Sequence, residues 1–236
     1  MAVGILMIYM ATYLFTYQFV PSDKVKRSMW ISFVGGMAAS YVFVYVLPYL
    51  HEYQHSIKED YGRLATQTEL YFIGLIGLII FYGVQAYAYR SEQAQSHQEP
   101  AFWVQVIFFT MYNVLISYSI VSTDISEIQA LFYASAIGLH FLVVAHDLWR
   151  YAPEKYISTG RYMMASGVLI GWVTGMWLQL SDLIEAIIFA FISGAMILNV
   201  ISNELPKHRE AHFPAFTIGV ILYTSITMVL KLFFEW

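Results

Sequence analysis

Apolar and polar positions divide this chain into eight long apolar stretches separated by short polar runs. The stretches are residues 3–20, 30–50, 69–89, 102–121, 128–148, 162–180, 183–203 and 213–233. Each is close to the roughly 20 residues a helix needs to cross the hydrocarbon of a bilayer. The third is typical, with no charge from Leu70 through Tyr89. Inside lipid a chain must satisfy its backbone groups internally, so the pattern predicts helices. The expected fold class is all-α: a polytopic membrane protein with one transmembrane domain over residues 1–236. The first stretch lacks a basic leader and a small-residue cleavage site, and Pro21 and Ser22 end it. It is expected to be a retained helix, not a signal peptide.

Composition agrees with the pattern. Of the 236 residues 59% are hydrophobic and only 12% charged, and mean hydropathy is +0.59. Orientation follows from Lys and Arg. Loops after odd-numbered spans hold nine: Lys24, Lys26, Arg27, Arg90, Arg150, Lys155, Arg161, Lys207 and Arg209. The other side holds three, Lys58, Arg63 and Lys231, which completes the twelve. The basic side is therefore expected to be cytoplasmic, with both termini outside a cell (plasma or inner) membrane. The opposite side carries nine acids, including Glu52, Glu59, Asp60, Asp124, Asp182 and Glu185. A negative face of this kind concentrates cations at a cleft mouth. Basic residues are few and flank the spans, so no nucleic-acid partner is expected; the lipid bilayer is.

There is no cysteine, which excludes disulfides and thiolate metal sites and leaves His, carboxylate and amide oxygen as ligands. Links near 122–127 and 181–182 are very short, which predicts tight helical hairpins for spans 4–5 and 6–7. Asp182 with Glu185 has capping-box spacing, which reads Glu185 as a cap. Gly167, Gly171 and Gly175 make a small-residue face on span 6, suited to a neighbouring span or to a second copy in a homodimer.

Ionisable and amide groups at membrane depth are costly and are candidate functional groups. His140 lies mid-span, and Asp147 is seven residues on. That is close to two turns, so both share a face about 10 Å apart. Asn113 with Ser117, and Asn199 with Asn203, stand at i, i+4. These amides can coordinate an ion or join helices. His51-Glu52-Tyr53-Gln54-His55 has His-Glu-x-x-His spacing, which on a helix puts two imidazoles and a glutamate together. Pro48 three residues earlier makes a continuous helix there doubtful, and a catalytic zinc site needs a third ligand.

The run Ser193-Gly194-Ala195-Met196-Ile197-Leu198-Asn199-Val200, followed by Asn203-Glu204-Leu205-Pro206, resembles span 7 of the ZIP (zinc/iron permease) family of divalent-metal transporters. Tyr45-Val46-Leu47-Pro48-Tyr49 is similar to the family's His-x-Leu-Pro-Glu. Eight spans with outside termini is also the ZIP topology. The resemblance implies an eight-helix ZIP-like bundle, and departures from the family pattern fall on the chemistry. The span 4 signature survives only as Asn113, the span 5 signature only as His140, and the span 2 His and Glu are Tyr45 and Tyr49. The missing prolines at 115 and 143 imply that spans 4 and 5 are straight.

Taken together, the first expectation is transport of a divalent cation such as zinc through a degenerate site. It would use His140 and Asn113 as ligands, Asp147 as an exit carboxylate, and His51, Glu52 and His55 as outer-face capture groups. The metal would be a substrate and not a cofactor, and no enzymatic activity is expected. The alternatives are a membrane metallohydrolase built on His51-Glu52-x-x-His55, or a non-transporting ZIP-like sensor or partner protein.

Overall fold

A computed structural model describes residues 2–19, 24–61, 68–93, 98–122, 127–204 and 212–233. Among these residues the structure is helical, with no strand. The helices are α1 (Ala2–Phe19), α2 (Lys24–Tyr41), α3 (Leu47–Tyr61), α4 (Glu69–Gln93), α5 (Gln98–Ser122), α6 (Glu127–Tyr151), the short α7 (Pro153–Lys155), α8 (Arg161–Trp177), α9 (Asp182–Asn199) and α10 (Phe213–Phe233). Single π turns join α2 to α3 (Val42–Val46), join α7 to α8 (Tyr156–Gly160) and extend α9 (Val200–Glu204). Among the described residues five helices are long and apolar enough to cross a membrane: Val25–Ser56, Glu69–Ser91, Glu99–Ser122, Asp182–Ser202 and Phe213–Phe233. Val3–Thr16 is a shorter apolar helix. The expectation of an all-helical membrane protein holds at that level.

The exposed apolar surface suits a membrane protein. Phe72, Leu75 and Ile79 on α4, and Ile218, Ile221 and Leu222 on α10, are exposed. A soluble protein rarely leaves so large an apolar face uncovered, whereas acyl chains solvate it without penalty.

Glycine faces, and not chain neighbours, decide the helix pairs. A Cβ on Gly171 would collide with the Val114 carbonyl, and one on Gly167 with the Thr110 carbonyl. The Gly167, Gly171 and Gly175 face of α8 is thus filled by α5 of the same chain, running parallel to it. Gly36 on α2 meets Phe216 on α10, and Gly219 reciprocally meets Phe33. Gly77 and Gly194 bring α4 and α9 together, Gly194 lying against the Gly74 carbonyl. Between lipid-embedded helices the gain is close van der Waals packing, and only a missing side chain lets backbones come this near. Consequently α8 packs on α5 and α1, and α9 on α4. The expected hairpin pairing of spans 6 and 7 does not form despite the short link, because each helix carries a glycine face that a different helix fills.

A buried aromatic cluster closes the bundle around α1. The Tyr9 ring meets Phe141 edge-on at 4.9 Å and the Tyr13 ring lies 5.1 Å from the same ring. The Tyr156 hydroxyl donates to the Tyr13 carbonyl at 3.0 Å, so the polar end of a large buried ring is satisfied.

Candidate functional site

Pro48 sits in the first turn of α3. Its ring would clash with the carbonyl four residues back and it has no N–H to offer. The preceding turn widens to a π turn, with Leu47 N–H donating to the Val42 carbonyl. α3 then runs on without interruption through His51 and His55, contrary to the break expected there. α5 and α6 are also continuous, as the absent prolines imply.

The π turn aligns a tyrosine ladder. At about 3.6 residues per turn, a four-residue step drifts forward around a helix. A wider turn winds less per residue and offsets that drift. Tyr41 and Tyr45 stack at 5.3 Å, Tyr45 and Tyr49 at 5.3 Å, and Tyr49 meets Tyr53 edge-on at 4.9 Å. Phe189 of α9 closes the corner, 5.1 Å from Tyr49 and 5.4 Å from Tyr53. The ladder, with Ile116 and Ile120 of α5 and Ile137 of α6, lines a slot of about 60 Å³ at the acid-rich end. Among the described residues Glu185 is the single charged residue of that lining.

Glu185 does not cap α9. The N-cap is Ser181, with no side-chain cap bond, and the Glu185 N–H donates to the Ser181 carbonyl at 3.0 Å. Its carboxylate instead lies 3.1 Å from the Tyr118 hydroxyl. That hydroxyl is also 3.2 Å from the Leu178 carbonyl and accepts from Leu180 N–H at 3.3 Å. One tyrosine thereby fixes both the α8–α9 link and the carboxylate.

At the basic end a cavity of about 890 Å³ opens between α2, α4, α5, α6 and α9. Its polar lining includes Gln85, Arg90, Gln105, His146, Asp147 and Arg150. Asp147 is exposed in this wall. His146 is buried, its ring 5.6 Å from Trp149, and neither ring nitrogen has a hydrogen-bond partner among the described residues.

Slot and cavity share the α2–α3 rod, α5, α6 and α9. On α5 the cavity ends at Phe109 and the slot begins at Ile116; on α6 the corresponding residues are Leu142 and Ile137, and on α9 Leu198 and Met196. Seven residues span about 10 Å of helix and two about 3 Å, so the layer between them thins from α5 toward α9. Within that layer the Tyr112 and His140 rings meet edge-on at 5.9 Å. The Asn199 amide nitrogen lies 3.4 Å from His140 Nδ1.

Asn113 is engaged elsewhere. It is fully buried, its Oδ1 accepts from the Tyr13 hydroxyl at 2.9 Å, and its Nδ2 donates to the Met164 carbonyl at 3.3 Å. It joins α5 to α1 and α8, while His140 joins α6 to α9. The two expected ligands therefore belong to different polar contacts, and Asn199 is the group that reaches His140.

His51 and His55 are exposed on α3, and His51 Nδ1 lies 2.8 Å from the Tyr71 hydroxyl. Among the described residues no group of three or more His, Asp or Glu side chains gathers within reach of one metal ion. The hydrolase alternative gains an intact helix but no third ligand.

Residues 81–149 match the model of a family described as a protein of unknown function, DUF3270. No curated protein matches the chain. The matched stretch covers the end of α4, all of α5 and most of α6, and so includes Asn113, His140, His146 and Asp147. The tyrosine ladder has a signal in the sequence, Tyr41, Tyr45, Tyr49 and Tyr53 recurring every four residues. Glu185 departs from the expected cap because the N-cap, Ser181, falls one residue earlier than the capping-box spacing suggests.

Proposed function

We propose that this chain is a ZIP-like membrane transporter that passes a divalent cation between the α2–α3 rod, α5, α6 and α9. One observation carries the reading: an outer slot and an inner cavity share four rods, with a thin layer holding His140 between them. Alternating access needs such a stack, in which a central gate opens to one side at a time. In this proposal both termini are outside and the large cavity is cytoplasmic, which agrees with the Lys and Arg bias. His140 and Asn199 are the central contacts, and Asp147 is the exit carboxylate. Asn113 holds α1, α5 and α8 together instead of binding cargo. His51, Glu52 and His55 gather the ion outside. Two central ligands cannot close a tetrahedral zinc site, so cargo is held weakly, as transport favours.

The test is zinc flux into proteoliposomes. Flux above that of empty vesicles, abolished in His140→Ala and weakened as pH falls, is the expected result. Protons compete with metal for the imidazole, which fixes that sign. Absence of flux for zinc, iron and manganese from folded wild-type protein would sink the reading in favour of a non-transporting role.

A further inference from the structure

We propose that the tyrosine slot at the acid-rich end is a binding site for a small quaternary ammonium cation. The site goes beyond the transport reading and does not depend on it, since it needs only the slot to be present and open. Three observations converge. First, the lining is rich in aromatic rings: Tyr41, Tyr45, Tyr49, Tyr53 and Phe189 form one wall, packed against one another with ring centroids 4.9–5.4 Å apart. The faces of such rings carry negative potential and attract a cation placed against them. Second, among the described residues Glu185 is the one charged group in the lining, with no basic residue beside it. Its carboxylate is held in place by the Tyr118 hydroxyl at 3.1 Å. Third, the size fits. One water needs roughly 10–15 Å³ of such space, so a slot of about 60 Å³ takes a head of about four or five heavy atoms.

Those features favour an organic cation over a tightly held metal ion. A metal ion held in place needs several oxygen ligands to replace its water, and beside one carboxylate the slot offers only the neutral hydroxyls of its tyrosines and of Ser119, Ser122 and Ser193. An alkylated ammonium is weakly hydrated and bears its charge on methyl groups. Aromatic faces therefore replace its solvent at little cost.

The probe is choline, measured by titration calorimetry on the purified full chain in detergent. The comparison is its uncharged isostere, in which carbon replaces the quaternary nitrogen. Choline should bind at least tenfold more tightly than the isostere. Glu185→Gln keeps an acceptor for Tyr118 but removes the charge, and should weaken choline about tenfold, in line with a desolvated charge contact. Tyr49→Leu should weaken it similarly, while Tyr49→Phe, which keeps the ring face, should bind like wild type. Thermal melting of each variant confirms that it is folded. Equal binding of choline and the isostere would overturn the proposal and make the slot a plain apolar pocket. Unchanged affinity in both Glu185→Gln and Tyr49→Leu, competition by equimolar sodium, or no binding at millimolar choline would also overturn it.

Discussion

The Asn199 amide nitrogen faces His140 Nδ1 at 3.4 Å, and both residues are almost completely buried. This contact joins α9 to α6 across the layer between the two cavities. Each side chain is costly to bury alone, because a buried donor or acceptor stripped of its partner loses about 1–3 kcal/mol. Asn199→Ala and His140→Ala should each lower the thermal midpoint in detergent. The double variant should cost less than the sum of the two, since the second change removes a group already stranded. Strict additivity in the cycle would mean that the two side chains do not interact.

Asn113 supports a second, separate prediction. It accepts from Tyr13 and donates to the Met164 carbonyl, so Asn113→Ala takes the acceptor from a buried hydroxyl, while the Met164 carbonyl keeps its place in the α8 ladder. The expected loss is about 1–3 kcal/mol of stability, partly recovered by adding Tyr13→Phe. Cation flux, normalised to folded protein, should be unchanged. Selective loss of flux with normal stability would restore Asn113 as a ligand.

Glycine contacts make a sharp contrast. Gly171→Leu drives a side chain into the Val114 carbonyl and the Ser117 Cβ, both on a rigid helix. Overpacking of this kind costs about 1–3 kcal/mol or more, and little monodisperse protein should be recovered. Gly83→Ala meets nothing within 4 Å and should be neutral or stabilising by up to about 1 kcal/mol, the helix preference for Ala. Size-exclusion profiles and melting curves of the two variants decide it.

Topology is directly testable because the chain has no cysteine of its own. Ile57→Cys should react with an impermeant thiol reagent in intact cells, and Gln93→Cys should be shielded until the cells are broken open. The reverse labelling would invert the orientation and with it the assignment of slot and cavity to the two sides.

Much of the helical content was legible because it is a local property. The stretch 69–89 lies within α4, and 213–233 is α10 itself, since apolar length and a self-satisfied backbone need no partner to be recognised. The glycine face of span 6 was equally visible, but its partner was not. A period along one helix says that a face exists and nothing about which helix meets it.

That limit explains the rest. Composition and pattern alone determined an all-helical chain with bilayer-length apolar segments, a basic and an acidic side, and no thiol chemistry. Tertiary structure alone decided that α8 seats on α5, that His140 is reached by Asn199 and not Asn113, and that Glu185 turns from a cap into the charged wall of a tyrosine slot. Side-chain pairing at these sites depends on rotations of whole helices. A π turn ahead of Pro48 or a collision avoided at Gly171 sets those rotations, and no spacing within a single segment encodes them.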